Sequence, residues 1–522
     1  MPQHFFQLDS IEKNVTAMLM LAAINSHLMN DLLYSIPTIV LCALGYYFSW
    51  QHFSKDNFKI ALLLLMICGL ALRIYTSSDF YLHTWDERYH ALVAKNLIQH
   101  ALTPTLYDKP ILPYDYKSWV GNNVWLHKQP LPLWTMAASM WLFGINEIAL
   151  RVPSIILTTI GIWLTFYIGK YFFDKRVGYL SAFFYSINGL IIELTAGRVA
   201  TDHTDIFFLF FIELAIFFSI VFAQKQKTIY NILVGVSIGV AILSKWLPAL
   251  IVLPIWFLIV IDTKKFKPSE IIFQFLVLTI TCVAVFLPWQ LYIFKTFPTE
   301  ANWEASFNLK HITQVLEGRS GGFYYFIDKI RINYGELIYL PFLWFLWKTF
   351  KNIRDKKRLA ILIWVLVPLL FFSIAKTKMQ AYILFISPAL FLITAEFFFT
   401  LNEYKRDYKL KFLLNFLLFL LIALPIRYMI ERVKPFENSN RNPDWVTNLR
   451  KLNDRKIPNG VLFNYDKPIE AMFYTNFTAY QNIPDKNRIT DLITKGNVII
   501  INDDGKIPDD IKTIKGITIQ KF

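Results

Sequence analysis

The strongest constraint on this chain is the succession of apolar stretches that runs from residue 32 to residue 430, with its two long polar breaks at 76–149 and 296–335. About 20 apolar residues suffice to cross a bilayer as a helix. A backbone inside lipid must satisfy its own hydrogen bonds, which leaves helices and closed barrels as the spanning forms. The stretches predict helices near 32–52, 58–75, 150–173, 177–195, 204–223, 229–245, 247–261, 271–295, 336–349, 359–374, 381–400 and 410–430. The expectation is an all-α polytopic membrane protein of about twelve transmembrane helices. With 55% of its residues hydrophobic and 17% charged, the chain is too apolar for a soluble enzyme of its length. Residues 131–145 are apolar but interrupted, and read as a helix lying on the membrane surface.

Lys and Arg gather at Lys55 and Lys59, Lys175 and Arg176, Lys225 and Lys227, Lys264 through Lys267, Lys351 through Arg358, and Lys405 through Lys411, in every second loop. Cytoplasmic loops carry such an excess. The alternate loops, 76–149, 196–203, 246, 296–335 and 375–380, are therefore expected outside the cell (inner) membrane, facing the periplasm, together with the C-terminal tail. Spread in this way, the net charge of +15 points to anionic lipid headgroups and not to nucleic acid. Cys42, Cys68 and Cys282 sit inside apolar runs, where a thiol packs as a small hydrophobe, so neither a disulfide nor a cysteine metal site is indicated.

Met18 to Ile24 is apolar but too short to span, and residues 1–57 read as an N-terminal segment with one additional span. Residues 58–430 form the membrane domain, with 76–149 as its first outer loop. Pro435, Asn438, Asn440 and Pro443 then mark a linker, and 431–522 turns polar with short β-rich runs. Strands are predicted at Val461 to Asn464, Val498 to Ile501 and Ile517 to Ile519, and helices at Trp445 to Leu452 and Ile489 to Thr494. This makes a small outward-facing α/β domain.

Chemistry concentrates in the outer loops. The first opens on Thr84-Trp85-Asp86-Glu87-Arg88-Tyr89. Adjacent carboxylates at a membrane surface suit acid/base work, and Asp86 has a second reading as the cap of the helix implied by Tyr89, Val93 and Leu97. That helix is expected to rest its apolar face on lipid and expose Lys95 and Gln99. In His127-Lys128-Gln129-Pro130, Lys128 stands at headgroup depth, where an ammonium either snorkels or holds a phosphate. His127 reads as a packing residue, since no second histidine lies at metal-ligand spacing.

A second acidic cluster, Arg198 with Thr201-Asp202-His203-Thr204-Asp205, leads into the apolar run from Ile206. One carboxylate serves as a cap there, and two exceed what a cap needs. Lys245, Arg319, Lys376 and Lys378 lie in outer loops against the inside bias, which marks them as functional. No Walker loop, dinucleotide fingerprint, nucleophile elbow or HExxH occurs. The rival class is a polyprenyl-linked lipid or solute transporter or flippase. It would set ionisable groups near the bilayer midplane, and Glu213 and Glu396 are the notable acids inside spans.

In this order the motifs resemble the integral-membrane glycosyltransferases of the C-type fold, and within them the branch of protein O-mannosyltransferases and lipid A aminoarabinose transferases. The resemblance covers most of 58–430. It rests on Asp86-Glu87-Arg88-Tyr89, Lys128-Gln129-Pro130-Leu131, Phe143-Gly144 through Arg151-Val152-Pro153-Ser154, Asp202 and Asp205, Leu243-Ser244-Lys245, and Lys378 with Tyr382 before Pro388-Ala389-Leu390. It departs at Gln129, where that branch has proline, and in the arginine that follows the acidic pair directly. What the resemblance implies is transfer of a sugar from a polyprenyl-phosphate donor to a lipid, glycan or protein acceptor on the outer face, by an inverting single displacement. By the same likeness Asp86 is the general base, and Glu87 with Asp205 or otherwise Asp202 orients the acceptor or supports a metal. Lys128, Arg319, Lys378, Tyr382 and Arg88 hold the donor phosphate. A divalent metal ion is left open, with Glu87 and His203 as candidate ligands. A relative that moves whole oligosaccharides to asparagine would carry a larger tryptophan-rich C-terminal domain, and this tail has only Trp445.

Overall fold

The structure, a computed structural model, describes residues 35–405, 409–437 and 440–522. The expectation for Met18 to Ile24 lies outside the described residues. The membrane part consists of α1 (35–54), α2 (Phe58–Thr76), α3 (Asp86–Leu97), α4 (Pro130–Phe143), α5 (Glu147–Phe172), α6 (Lys175–Ile187), α7 (Gly189–Thr195), α8 (Asp202–Lys225) and α9 (Thr228–Lys245). It continues with α10 (Val252–Asp262), α11 (Pro268–Thr296), α12 (Pro298–Thr313), α13 (Tyr325–Tyr334), α14 (Tyr339–Lys351), α15 (Lys356–Ile374), α16 (Ser387–Tyr404) and α17 (Lys411–Val433).

The order of burial follows from the sequence of each helix. From Ile206 to Ala223, α8 is apolar around nearly its whole circumference, and such a helix belongs at the centre of a bundle. It packs against α5, α9 and α10. Most side chains of α11 and α17 instead face outward, as those of helices that meet lipid do.

Among the described residues eight helices are long and apolar enough to cross a membrane, or nine when the bent pair α6–α7 counts as one span. This corrects the expected twelve, and the causes are local. The start of the expected 32–52 span lies outside the described residues. Near 247–261 the chain opens as a 3-10 turn, Leu247–Ile251, with Pro248 in its first positions and Trp246 before it at φ 79°, so only the short α10 follows. The expected 336–349 span is likewise divided between a 3-10 turn at Glu336–Ile338 and the short α14. The 177–195 span bends by 50° at Asn188, whose side chain accepts the Ile191 N–H and so caps α7. The predicted surface helix at 131–145 is α4, which packs on α3 and α5.

After Val433 the chain builds α18 (Asp444–Asp454), β1 (Gly460–Phe463), α19 (Pro468–Tyr474), β2 (Thr478–Ala479), α20 (Lys486–Thr494), β3 (Val498–Asn502), α21 (Asp509–Lys512) and β4 (Ile517–Gln520). The four strands form one parallel sheet in the order β2-β1-β3-β4. The three predicted strands and two predicted helices are all present. The two-residue β2 and the short α19 carry too little pattern to stand out in sequence.

This segment folds back onto the first outer loop, which corrects the reading of α3. Tyr89, Val93, Ala94 and Leu97 are buried in one core with Leu133 and Met136 of α4 and with Ile469, Met472 and Phe473 of α19. The face expected on lipid is covered by protein. Lys95, expected in solvent, hydrogen-bonds the carbonyls of Met472, Phe473 and Thr475 at 2.7–3.0 Å, a cationic cap on the end of α19. Gln99 is exposed as expected.

Candidate active site

Asp86 is the first residue of α3, whose N-cap position is Trp85, but its carboxylate does not cap its own helix. Oδ2 accepts the backbone N–H of Thr201 at 3.0 Å and lies 3.3 Å from the ammonium of Lys128. Burial alone would raise the Asp86 carboxyl. The Lys128 ammonium, the imidazoles of His90 and His127 and the Thr201 N–H outweigh burial and hold it below the usual carboxylate range. Lys128 is raised in turn, because Asp86 outweighs the desolvation of the ammonium.

Glu87 points the other way, into the protein, at 0% exposure. Oε1 accepts Arg151 Nε–H at 2.6 Å, and Oε2 accepts the His83 backbone N–H at 2.7 Å and Arg151 Nη2 at 3.0 Å, with His83 Nδ1 2.6 Å away. Burial pushes this carboxyl up, but Arg151, His83 and His203 bring it well below its ordinary value. The network extends through His83 Nε2 to Asp79 at 3.1 Å, and Asp79 also meets Arg198 and Arg441. Gly197 passes so close that an added Cβ would lie 2.3 Å from Glu87 Oε1, and its φ of +75° also favours glycine.

The two acids of the second cluster have separate partners, and neither is the N-cap of α8. Thr201 holds that position at φ 70° without a side-chain bond. Asp202 Oδ1 accepts His90 Nδ1–H at 2.8 Å and its neighbour's N–H from His203. Asp205 pairs with Lys245, whose ammonium lies 4.8 Å from the ring centroid of Tyr382. Arg319 stacks on the Trp85 ring at 5.1 Å, directly before Asp86.

The predicted residues thus fall into two groups. Asp86, Lys128, Asp202, Asp205, Lys245, Tyr382 and Arg319 gather around the starts of α3 and α8 in separate pairings, Asp86–Lys128, Asp205–Lys245–Tyr382, Asp202–His90 and Arg319–Trp85. Arg88 turns away, pairing with Glu470 of α19 at 3.2 Å and covering the Tyr89 ring. Lys378 spends all three of its N–H donors on the carbonyls of Phe372, Ser373 and Ala375. That makes it a cap on α15 with no donor left for a phosphate. His127 stacks on Trp119 and faces Glu304 at 3.5 Å, a packing residue as expected. Beside Lys128 lies a small pocket lined by apolar residues such as Leu126, Trp289 and Ile293 and by polar ones, Gln129, Gln290 and Glu304. Gln129, the departure from proline, accepts Gln290 Nε2–H at 3.1 Å and ties the loop to α11.

The metal candidates do not fit a resident ion. Both Glu87 oxygens are engaged with Arg151 and His83, and a guanidinium beside them repels a cation. His203 is turned by Nδ1 to Ser154 Oγ at 2.8 Å. Among the described residues no group of three or more His, Cys, Asp or Glu side chains is arranged to hold a metal.

Sequence reading missed Asp79, His83, His90 and Arg151 as members of these networks. One signal was available. Arg151 and Glu87 both border apolar runs, and a charge buried there requires a partner.

A membrane bundle with an acid–cation cluster at one end and a small parallel sheet docked over it defines the class. The chain is related to the integral-membrane glycosyltransferases of the C-type fold, as the motifs implied. Residues 127–289 match the family described as dolichyl-phosphate-mannose-protein mannosyltransferase. Among particular relatives, the undecaprenyl phosphate-alpha-4-amino-4-deoxy-L-arabinose arabinosyl transferase of Enterobacter sp. (strain 638) is 27% identical over 345 residues, 62% of this chain and 56% of the relative. The similarly named transferase 1 of Pseudomonas fluorescens (strain Pf0-1) is 26% identical over 275 residues, 48% of this chain and 44% of the relative. The chain thus spans about half the length of the curated relatives it matches. The crystal structure of ArnT from Cupriavidus metallidurans bound to undecaprenyl phosphate has the same fold, with a TM-score of 0.57 over 88% of this chain and 89% of that one at 14% identity. The archaeal oligosaccharyltransferase AglB from Archaeoglobus fulgidus, in complex with an inhibitory peptide and a dolichol-phosphate, aligns with a TM-score of 0.52 over 80% of this chain and 64% of that one at 15% identity.

Proposed function

We propose that this protein transfers a sugar from a polyprenyl-phosphate donor to a hydroxyl or similar group of a lipid, glycan or protein acceptor, on the extracytoplasmic side of the cell membrane. The observation that carries the reading is the Asp86–Lys128 ion pair, steadied by the Thr201 N–H at the entry to α8. A carboxylate able to take a proton and an ammonium able to take a phosphate stand side by side, 3.3 Å apart. The undecaprenyl phosphate bound by the ArnT structure and the donor in the curated relatives' names are of the same chemical class.

In the proposed displacement the acceptor oxygen attacks the anomeric carbon from the side opposite the phosphate and inverts it. The acceptor proton passes to Asp86, and the bond to the phosphate oxygen breaks with its electron pair going to the phosphate. Lys128, supported by Lys245, Tyr382 and Arg319, stabilises that developing charge. Phosphate is a good leaving group, so no general acid is required.

The ion pair adds a coupling between the two substrates. While Lys128 sits on Asp86, the carboxylate is a weak base. An arriving phosphate draws the ammonium away, and Asp86 gains basicity when the donor is in place. Glu87 is a scaffold residue here, Lys378 and Arg88 are structural, Asp205 holds Lys245 and Asp202 holds His90.

Asp86→Asn should lower transfer by about 10²–10⁴-fold, with membrane insertion and undecaprenyl phosphate binding retained. Mass spectrometry of lipids and secreted proteins from a deletion strain complemented with the variant reads this out, and full product formation would remove Asp86 from the mechanism. Lys128→Ala should weaken undecaprenyl phosphate binding by about ten-fold or more. Unchanged affinity would reassign Lys128 to holding Asp86 alone.

A further inference from the structure

One helical turn after Asp86 stands His90, fully buried on α3. Its Nδ1 bonds to Asp202 Oδ1 at 2.8 Å. A carboxylate in that position fixes Nδ1 as the N–H nitrogen and leaves a lone pair on Nε2. Nε2 has no hydrogen-bond partner among the described residues, and neither has Asp202 Oδ2. Buried polar atoms are ordinarily paired, so two open acceptors on one linked pair of side chains offer a place for a donor.

The backbone that holds the pair is strained. Thr201 and Asp202 have φ values of 70° and 24°, unfavourable for residues with a side chain. The N–H of the same Thr201 is donated to Asp86. A single strained turn therefore positions Asp86 directly and His90 through Asp202. Lys128 is the phosphate ligand of the proposed function, and His90, four residues after Asp86, lies on the same face of α3 as the proposed base.

We propose that His90 is a substrate-binding residue of this site and Asp202 its positioning residue: His90 Nε2 accepts a hydrogen bond from a second O–H or N–H of the acceptor molecule, beside the nucleophilic group whose proton passes to Asp86. The inference rests on the reading of Asp86 as the base. Asp202 keeps the imidazole in the tautomer that can accept, and Nε2 fixes the angle at which the acceptor meets the anomeric carbon.

The test compares His90→Phe, His90→Gln, Asp202→Asn and Asp86→Asn in a deletion strain at matched membrane protein level. Mass spectrometry quantifies the sugar-modified product, and undecaprenyl phosphate affinity is measured on each purified full-length variant. His90→Phe keeps ring volume without an acceptor atom and should lower product about ten- to a hundred-fold, with undecaprenyl phosphate affinity within about two-fold of the parent. His90→Gln, which offers an oxygen near the place of Nε2, should recover a large part of that loss, and Asp202→Asn should follow His90→Phe. Product at the parent level in His90→Phe overturns the inference. So does a loss matched by an equal fall in undecaprenyl phosphate affinity and not relieved in His90→Gln, which is the signature of a packing role. Asp86→Asn separates the two claims. If it is active, the base reading fails; if it is inactive while His90→Phe is intact, only the present inference fails.

Discussion

Glu87 and Asp86 are neighbours in sequence with opposite circumstances. Glu87 is paired on both oxygens inside the protein, and removing its counter-ion strands a buried charge. Arg151→Leu should therefore cost about 3–5 kcal/mol of stability, measured as a lowered melting temperature of the detergent-solubilised protein, while a surface pair such as Lys512–Asp509 should be near neutral when broken. The same network makes a pH prediction through Asp79. Burial pushes the Asp79 carboxyl up, but the His83 hydrogen bond and the Arg198 and Arg441 guanidiniums bring it to about 2 from an ordinary 3.8. A depressed carboxyl contributes stability that is fully present above its unfolded value and is lost as pH falls through the folded one. The contribution is about 2 kcal/mol at neutral pH. Melting temperature should thus fall more steeply from pH 5 to pH 3 in the parent than in Asp79→Asn, and parallel curves would contradict the assignment.

At the scale of elements, α3 decides where the site is. It is held from one side by α4 and from the other by α19, with Lys95 capping the end of α19 and Arg88 pairing with Glu470. Tyr474 adds a bond to Glu147 at the start of α5 and accepts the Leu82 N–H. Lys95→Met removes three hydrogen bonds from a charged donor while keeping the apolar stem. It should loosen the C-terminal sheet, seen as faster proteolytic cutting in the 434–443 stretch. Unchanged cutting would mean that the apolar core between α3 and α19 suffices. The α6–α7 bend and the α8 entry are the other deciding elements, since the turn before α8 reaches Asp86 through Thr201.

For the molecule as a whole, the proposed orientation sets the loops with Asp86, Lys128 and Arg319 outside and the Lys- and Arg-rich loops inside. Single cysteines introduced at Ser320 and Lys265 test it, because the native Cys42, Cys68 and Cys282 are buried. An impermeant thiol reagent should label Ser320→Cys in intact cells and Lys265→Cys only after the membrane is opened; the reverse pattern would place the site in the cytosol. The in-span acids fit this view better than a transport pathway. Glu396 is paired with Arg358 and Lys348, and Glu213 accepts the Thr165 hydroxyl. The apolar stretches, the helix α4 and the strands β1, β3 and β4 were legible in the sequence, because each is encoded by the pattern within a single element. So were Asp86, Lys128, Asp202 and Asp205 as candidates, because charges at the edges of apolar runs stand out locally. Tertiary structure alone decided that Glu87 is paired inside the protein while Asp86 meets Lys128, that the donors of Lys378 and Arg88 go to Phe372, Ser373, Ala375 and Glu470, and that α3 lies under protein. The physical reason is range. The partners of Asp86, Glu87, Arg88 and Lys95 come from Thr201, Arg151, Glu470 and Met472, and which carboxylate meets which cation across such separations is set by the packing of the bundle, about which local patterns carry no information.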